Sequence, residues 1–210
     1  MPPHADPHAL LPVAFFARDA LDVAHDLVGR WARHGAVVVQ ITEVEAYRVG
    51  DSACHAWRGE TPRNRALFGP PGRAYVYLCY GVHMMFNLVT GAEGEPQGVL
   101  IRAAAPVEGH GIIAARRGGR TAPSSLAGPG KVAQALGLDV AWTGHPVYEP
   151  GGLEVCVGMP AVEKLVGPRV GIDYALPEHR DAPWRIAEAG SRWVSVRRTL
   201  RPIGTPPDPA

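Results

Sequence analysis

Lysine is almost absent from this 210-residue chain, cysteine is scarce, neither sign of charge is in excess and no long apolar run occurs. Each absence excludes something. The 21 Lys+Arg against 20 Asp+Glu leave a formal charge of +1, which removes a histone-like coat held to DNA by bulk charge. Cys54, Cys79 and Cys156 are odd in number, widely spaced and without a C-x-x-C pair. Neither a disulfide framework nor a cysteine-rich zinc centre is supported, and a reducing compartment is the default. The apolar stretch 10–17 is broken by Pro12 and follows no basic region, and no other run approaches the roughly 18 apolar residues of a membrane span. A soluble, cytoplasmic protein without membrane contact is expected. Around Gly128-Pro-Gly-Lys131 a Walker loop would need glycine where Ser125 stands and Ser or Thr where Val132 stands. G-x-S-x-G, H-E-x-x-H and the zinc-deaminase pattern are also missing. No local motif calls for a metal, and no cofactor is expected.

What is present is a globular composition, 46% hydrophobic, enough to bury one large core. One domain over residues 1–205 with a loose Pro-rich tail at 206–210 is the economical reading. The 25 glycines and 21 prolines are spread between apolar segments, which suits many tight turns and a sheet-rich fold. Helical spacing of Ala20, Ala24, Leu27 and Val28 before Gly29 predicts a helix over 17–28. Residues 36–47 read as a strand whose alternation puts Val37, Val39, Ile41, Glu43, Glu45 and Tyr47 on one face. A long loop over 48–72 follows, kept ordered by His55, Trp57 and Phe68. Strands at 74–80 and 83–89 meet tightly enough to form a hairpin with Tyr80, Gly81 and Val82 near its tip. Further strands are predicted at 97–105, closed by Pro106, and at 153–157, 169–172 and 193–197, with helices at 107–117 and 130–138. Strands with a few helices and no βαβ alternation indicate an α+β fold: a curved, mostly antiparallel sheet with a protruding hairpin.

Three chemical features stand out. Only Lys131 and Lys164 are lysines; the arginines gather around 58–73, 102–120 and 185–201. These runs are either one phosphate-binding face or solvated faces in an arginine-biased chain. Glu45 sits among Ala46, Tyr47 and an apolar strand, where it is either a desolvated general base or a strand-end carboxylate satisfied by an arginine such as Arg102. Tyr75, Tyr77 and Tyr80 are core or rim packing, except that an aromatic at a hairpin tip has little core to fill.

The ordered series Glu43-Val-Glu-Ala-Tyr47, Asp51-Ser-Ala-Cys-His55, Thr61-Pro-Arg-Asn64, 71–83, Asn87, Val99-Leu-Ile-Arg-Ala103 and Gly128-Pro-Gly-Lys131 resembles the alkyladenine (3-methyladenine) DNA glycosylases of the methylpurine type, collinearly from about Phe16 to Arg198. The resemblance implies a monofunctional, monomeric enzyme acting on double-stranded DNA with damaged purines, which flips the purine nucleotide and hydrolyses its N-glycosidic bond. It implies Glu45 as general base, with Arg102 and the Val170 backbone holding the attacking water. Tyr47, His55 and Tyr77 would sandwich the base, and Asn87 would crowd the exocyclic amine of guanine. Tyr80, beside Val82, would enter the duplex; Arg63, Gly130 and Lys131 would contact the DNA backbone. Val82 stands where many members have methionine, and Cys54 where serine is commoner. A damaged-DNA binding module with the same pocket and no chemistry is the alternative.

Overall fold

Asp19 starts the first sizeable helix: its carboxylate accepts from the Leu21 amide at 2.8 Å, so the helix begins after it rather than at Ala17. The computed structural model describes residues 6–205; the tail at 206–210 lies outside the described residues. A short turn of helix, α1 (Val13–Phe16), precedes this α2 (Ala20–Leu27). The chain then forms β1 (Trp31–His34), β2 (Val37–Tyr47), β3 (Ala74–Cys79), β4 (His83–Val89) and β5 (Gly98–Glu108). After these come α3 (His110–Arg116), α4 (Pro129–Leu136), β6 (Leu153–Cys156), β7 (Lys164–Gly167), α5 (Pro177–Arg180), β8 (Arg185–Glu188) and β9 (Arg201–Pro202). Among the described residues the strands make one nine-stranded sheet, ordered β3-β4-β5-β2-β8-β7-β9, with β1 joining β2 to β6. Every strand pairing is antiparallel, so the fold is α+β with an open antiparallel sheet.

One face of the sheet is dry. Val23, Ala24 and Leu27 of α2 and Val132, Ala133 and Leu136 of α4 pack with Ile41, Phe86, Leu88, Ile101 and Ile186 in the main core. Fully burying one such aliphatic or aromatic side chain contributes about 1.5–3 kcal/mol. Gly29 closes α2 in a left-handed conformation (φ +93°), with the Met159 carbonyl too close for any Cβ.

The sequence pattern mistook one parity. Along β2 the core takes Val37, Val39 and Ile41, then Val44 and Ala46. Register shifts against β5 at Ile41/Glu43 and Glu43/Val44 insert a bulge, and a bulge exchanges the two faces of a strand. Glu43 and Glu45 therefore point away from the apolar residues with which simple alternation grouped them.

Other differences are local. β5 continues through Pro106, which lies beside a register shift where a missing N–H is tolerated, so α3 starts only after Gly109. β1, β7 and β8 are four-residue strands, too short to show an alternation. Residues 169–172 and 193–197, expected as strands, are outside the named strands; both are loops that reach the site. The long segment 48–72 is ordered. Asn64 pins it by donating to the carbonyls of His55 (2.9 Å) and Gly59 (3.0 Å), and Cys54, Ala56 and Leu67 form a small core with Tyr75 and Val89. Trp57, expected to help, is 49% exposed.

Candidate active site

Beyond the bulge, the polar face of β2 forms the floor of a cleft of about 1050 Å³, at the upper end of small-molecule sites. Glu45, Tyr47, His55, Arg63, Tyr77, Tyr80, Asn87, Arg102 and Val170 all line it. Val82, Gly130 and Lys131 do not.

Glu45 is fully buried and held from three directions. The Val170 amide donates to Oε1 at 2.8 Å, the Arg102 guanidinium lies 3.3 Å from the same oxygen, and the Tyr47 hydroxyl donates to Oε2 at 3.1 Å. Of the Val170 backbone groups it is the amide that reaches the carboxylate, orienting it directly. Burial, reinforced by the Glu45 charge, raises the Tyr47 hydroxyl well above the ordinary tyrosine value, so it remains a donor. Such an arrangement fixes the orientation of the carboxylate at the cleft floor.

Aromatic rings wall the cleft. His55 lies 4.3 Å from Tyr77, centroid to centroid, and Tyr75 lies 5.2 Å from Tyr77. The Tyr75 hydroxyl and His55 Nδ1 share a hydrogen bond of 3.1 Å. Burial pushes Tyr75 up to about 12 and Tyr77 higher still, so both stay neutral. Burial likewise pushes the Cys54 thiol up to about 11, which removes it as a nucleophile at neutral pH. Asn87 donates through Nδ2 to the Tyr75 carbonyl at 3.1 Å and the Met85 carbonyl at 3.3 Å, so its amide is fixed across the β3–β4 pair.

For His55, burial first and the Arg63 charge second lower the pKa below its ordinary 6.5. The ring is thus neutral at pH 7. An NMR titration of its ring proton is expected to have a midpoint below 6.5. The folded state favours the neutral ring, so the associated stability is full above 6.5 and is lost as pH falls through the lowered midpoint. A midpoint above that value would remove this account of the wall.

The hairpin rises at the cleft rim. Tyr80 and Gly81 take φ of +50° and +71°, and the Val82 amide closes the turn on the Cys79 carbonyl at 3.1 Å. A tyrosine in the left-handed region costs about 1–2 kcal/mol relative to glycine. Tyr80 nevertheless occupies it, with 90% of its surface exposed and Val82 70% exposed. The tip thus combines strain with two large exposed side chains. Arg63 donates to the Leu78 carbonyl at 2.8 Å and so braces the hairpin from the loop side. Gly130, at the start of α4, lies against His83, which pairs with Cys79 just below the hairpin turn; a Cβ there would come within 3.0 Å of the histidine Cβ. Lys131 donates to the Ser124 carbonyl at 2.8 Å.

A second layer lies beneath, and the sequence did not announce it. Glu43, fully buried, accepts from Arg185 Nη1 at 2.8 Å, from the Ser195 amide at 2.6 Å and from the Ser195 hydroxyl at 3.0 Å. Arg102 Nε donates to that hydroxyl at 2.9 Å. Arg102 and Arg185 belong to the arginine runs that read as either a phosphate-binding face or solvated faces; both are instead buried and paired with carboxylates inside the protein, as the alternative reading of Glu45 had it for Arg102. Arg169, also buried, makes a bidentate pair with Asp51, reaches the Ala46 carbonyl at 3.0 Å, and lies between the Tyr47 ring (4.6 Å) and the Trp184 ring (5.0 Å). It fixes both Tyr47 and the loop that carries Val170. The repeated Glu-x-Glu on β2 was the one visible hint of this layer; of its partners, Val170, Arg185 and Ser195 lie more than 100 residues away and Arg102 more than 50.

Proteins of similar sequence bear on what this cleft does. A DNA-3-methyladenine glycosylase of Arabidopsis thaliana is 56% identical over 197 residues, covering 92% of this chain and 78% of its own. A chain of Nitrosococcus oceani assigned as a 3-methyladenine DNA glycosylase is 58% identical over 194 residues, covering 92% and 96%. One of Methanocella arvoryzae, assigned likewise, is 45% identical over 196 residues. Residues 14–192 match the family model described as methylpurine-DNA glycosylase (MPG). With that match running from α1 past β8, through every strand and loop that builds the cleft, the chain belongs to the methylpurine-DNA glycosylase family.

Proposed function

We propose that the protein removes alkylated or deaminated purines from double-stranded DNA by hydrolysis, leaving an abasic site and an intact strand. One observation carries this reading: a fully buried Glu45 carboxyl group at the floor of an aromatic-walled cleft, oriented by Val170, Arg102 and Tyr47. A purine inside a duplex cannot reach such a floor, so its nucleotide is flipped out, at a cost of a few kcal/mol. Tyr80 fills the vacated step and recovers part of that cost, while Tyr47, His55 and Tyr77 stack on the extruded base at about 1–3 kcal/mol per stacked base. An electron-poor alkylated purine gains most from this stacking. The fixed Asn87 amide disfavours guanine by crowding its exocyclic amine.

In the chemical step, Glu45 takes a proton from a water whose oxygen forms a bond to C1′. The C1′–N bond breaks, and the base leaves with the bonding electrons. Glu45 also faces the positive charge that develops on the sugar, so one carboxylate acts as base and as electrostatic stabiliser. A lyase step would need an amine at the reacting carbon; Lys131 and Lys164 are both outside the cleft lining, which supports hydrolysis alone. The protein acts as a monomer, and Arg63, Gly130 and Lys131 supply backbone contacts.

The test is a duplex with a single ethenoadenine or hypoxanthine, incubated with the protein and then treated with alkali. Strand scission at the lesion is expected. Retention of the lesion DNA without scission would replace the enzyme by a damage-binding module.

A Tyr80→Ala protein is expected to excise the same lesion from duplex roughly tenfold or more slowly, since the ring offsets part of a few-kcal/mol flipping cost, while its rate on single-stranded substrate changes little. Equal slowing on both substrates would remove the intercalation role.

A further inference from the structure

From the buried layer behind Glu45 we infer that Ser195 is a positioning residue for the reaction, acting through Arg102. This inference rests on the proposed role of Glu45 and extends it to a residue outside the cleft lining and beyond the family-matched span of residues 14–192. Four charged side chains alternate in sign from beneath the floor up to it: Arg185, Glu43, Arg102 and Glu45. The Arg185–Glu43 contact is 2.8 Å, but Arg102 lies 3.4 Å from Glu43 and 3.3 Å from Glu45. Both of the latter are longer than a charge-assisted hydrogen bond. The short contact that Arg102 does make is through Nε to Ser195 Oγ, at 2.9 Å.

The roles in that contact are unambiguous. Arginine has no acceptor, so the serine oxygen accepts from Nε, and its single proton is left for Glu43 Oε1 at 3.0 Å. The Ser195 amide donates to the other Glu43 oxygen at 2.6 Å. Ser195 is therefore clamped to Glu43 by two bonds, and it presents one acceptor at a fixed place to Arg102. This leaves Nη1 of the same planar guanidinium facing Glu45. A guanidinium is rigid, so fixing Nε fixes where Nη1 lies; without the serine, Arg102 is free to pivot toward Glu43 and away from the general base. The loop at 193–196 thus decides whether the cation beneath the water-activating carboxylate is in register with it.

The test uses single-turnover excision of ethenoadenine from duplex together with affinity for DNA carrying a non-hydrolysable abasic analogue. Ser195→Ala is expected to lower the excision rate roughly 10- to 100-fold, the effect of one hydrogen bond to a charged group, with affinity unchanged within about twofold. Ser195→Thr keeps the hydroxyl and is expected to recover most of the rate. In an Arg102→Lys background, where no Nε exists to be held, Ser195→Ala is expected to add no further loss. An unchanged rate in Ser195→Ala overturns the inference, as does a rate loss matched by lost affinity, one that Ser195→Thr does not recover, or one that persists in full in the Arg102→Lys background. If Glu45→Gln retains full activity, the Glu45 reading itself fails. A dead Glu45→Gln beside a wild-type-like Ser195→Ala rejects the Ser195 role alone.

Discussion

Glu45→Gln is expected to slow release of a neutral lesion base, hypoxanthine or ethenoadenine, by about 10³-fold or more, with damaged-DNA binding retained. General-base assistance contributes about 10²–10⁴, and loss of a preorganised charge facing the developing sugar cation removes a further factor. Glutamine preserves the size of the side chain and an oxygen for the Val170 amide (2.8 Å in the present pairing), so the variant separates chemistry from architecture. It lacks basicity and charge, and the fully buried position leaves no room for bulk water to substitute for either. The loss should be smaller for a cationic lesion such as 7-methylguanine, which departs as a neutral base and needs less help from the site. Single-turnover excision on both lesion types, with a gel-shift measurement of binding, checks the two statements together. A variant within tenfold of the wild type on hypoxanthine would sink the assignment of Glu45 as base.

Glu43→Ala is expected to be among the most destabilising single substitutions in the chain. Glu43 is fully buried, compensates Arg185, which is itself fully buried, and is the anchor of Ser195. Removing one partner of a buried ion pair costs about 3–5 kcal/mol because the other charge is left in a low-dielectric interior. For a domain of this size that is a fall in Tm of about 6–20 °C. Glu43→Gln keeps acceptors for Arg185 Nη1 and the Ser195 amide and should lie between the two. Thermal and urea melts of the three proteins decide the matter. A Glu43→Ala protein melting within about 2 °C of the wild type would mean that the interior relaxes around Arg185 or admits water to it.

How far the site could be read from the chain depended on range. The hairpin was legible because β3 and β4 are adjacent in sequence and separated by three residues with a glycine, and it placed Tyr80 at a tip from which it projects into solvent. The helix around Val23 was legible from apolar spacing; its boundaries and those of the helix expected at 130–138 were off by a few residues where Asp19 and Gly128 set the true starts. The strand alternation of β2 was legible only as far as Ile41. A bulge has no signature in a run of Val, Ile, Thr and Glu; it arises from pairing with β5, some 60 residues further on. The loops at 169–172 and 193–197 looked like strands because they are apolar and β-branched, yet what those positions supply is an amide for Glu45 and a serine clamp for Glu43.

By itself, the near-neutral charge with its dearth of lysine determined that bulk charge does not hold this protein to a partner, and the ordered motifs from Glu43 to Lys131 determined its family. Those are properties of composition and local order, which survive without knowing any contact. Tertiary structure alone decided that Glu43 and Glu45 leave the apolar face, that Arg102 and Arg185 serve buried carboxylates instead of phosphates, and that Arg169 and Ser195 hold the site from segments more than 90 residues away. The reason is electrostatic. In a low-dielectric interior a charge must find its opposite, and which arginine satisfies which carboxylate is fixed by the pairing of β2 with β5 and β8, a relation that no stretch of sequence contains.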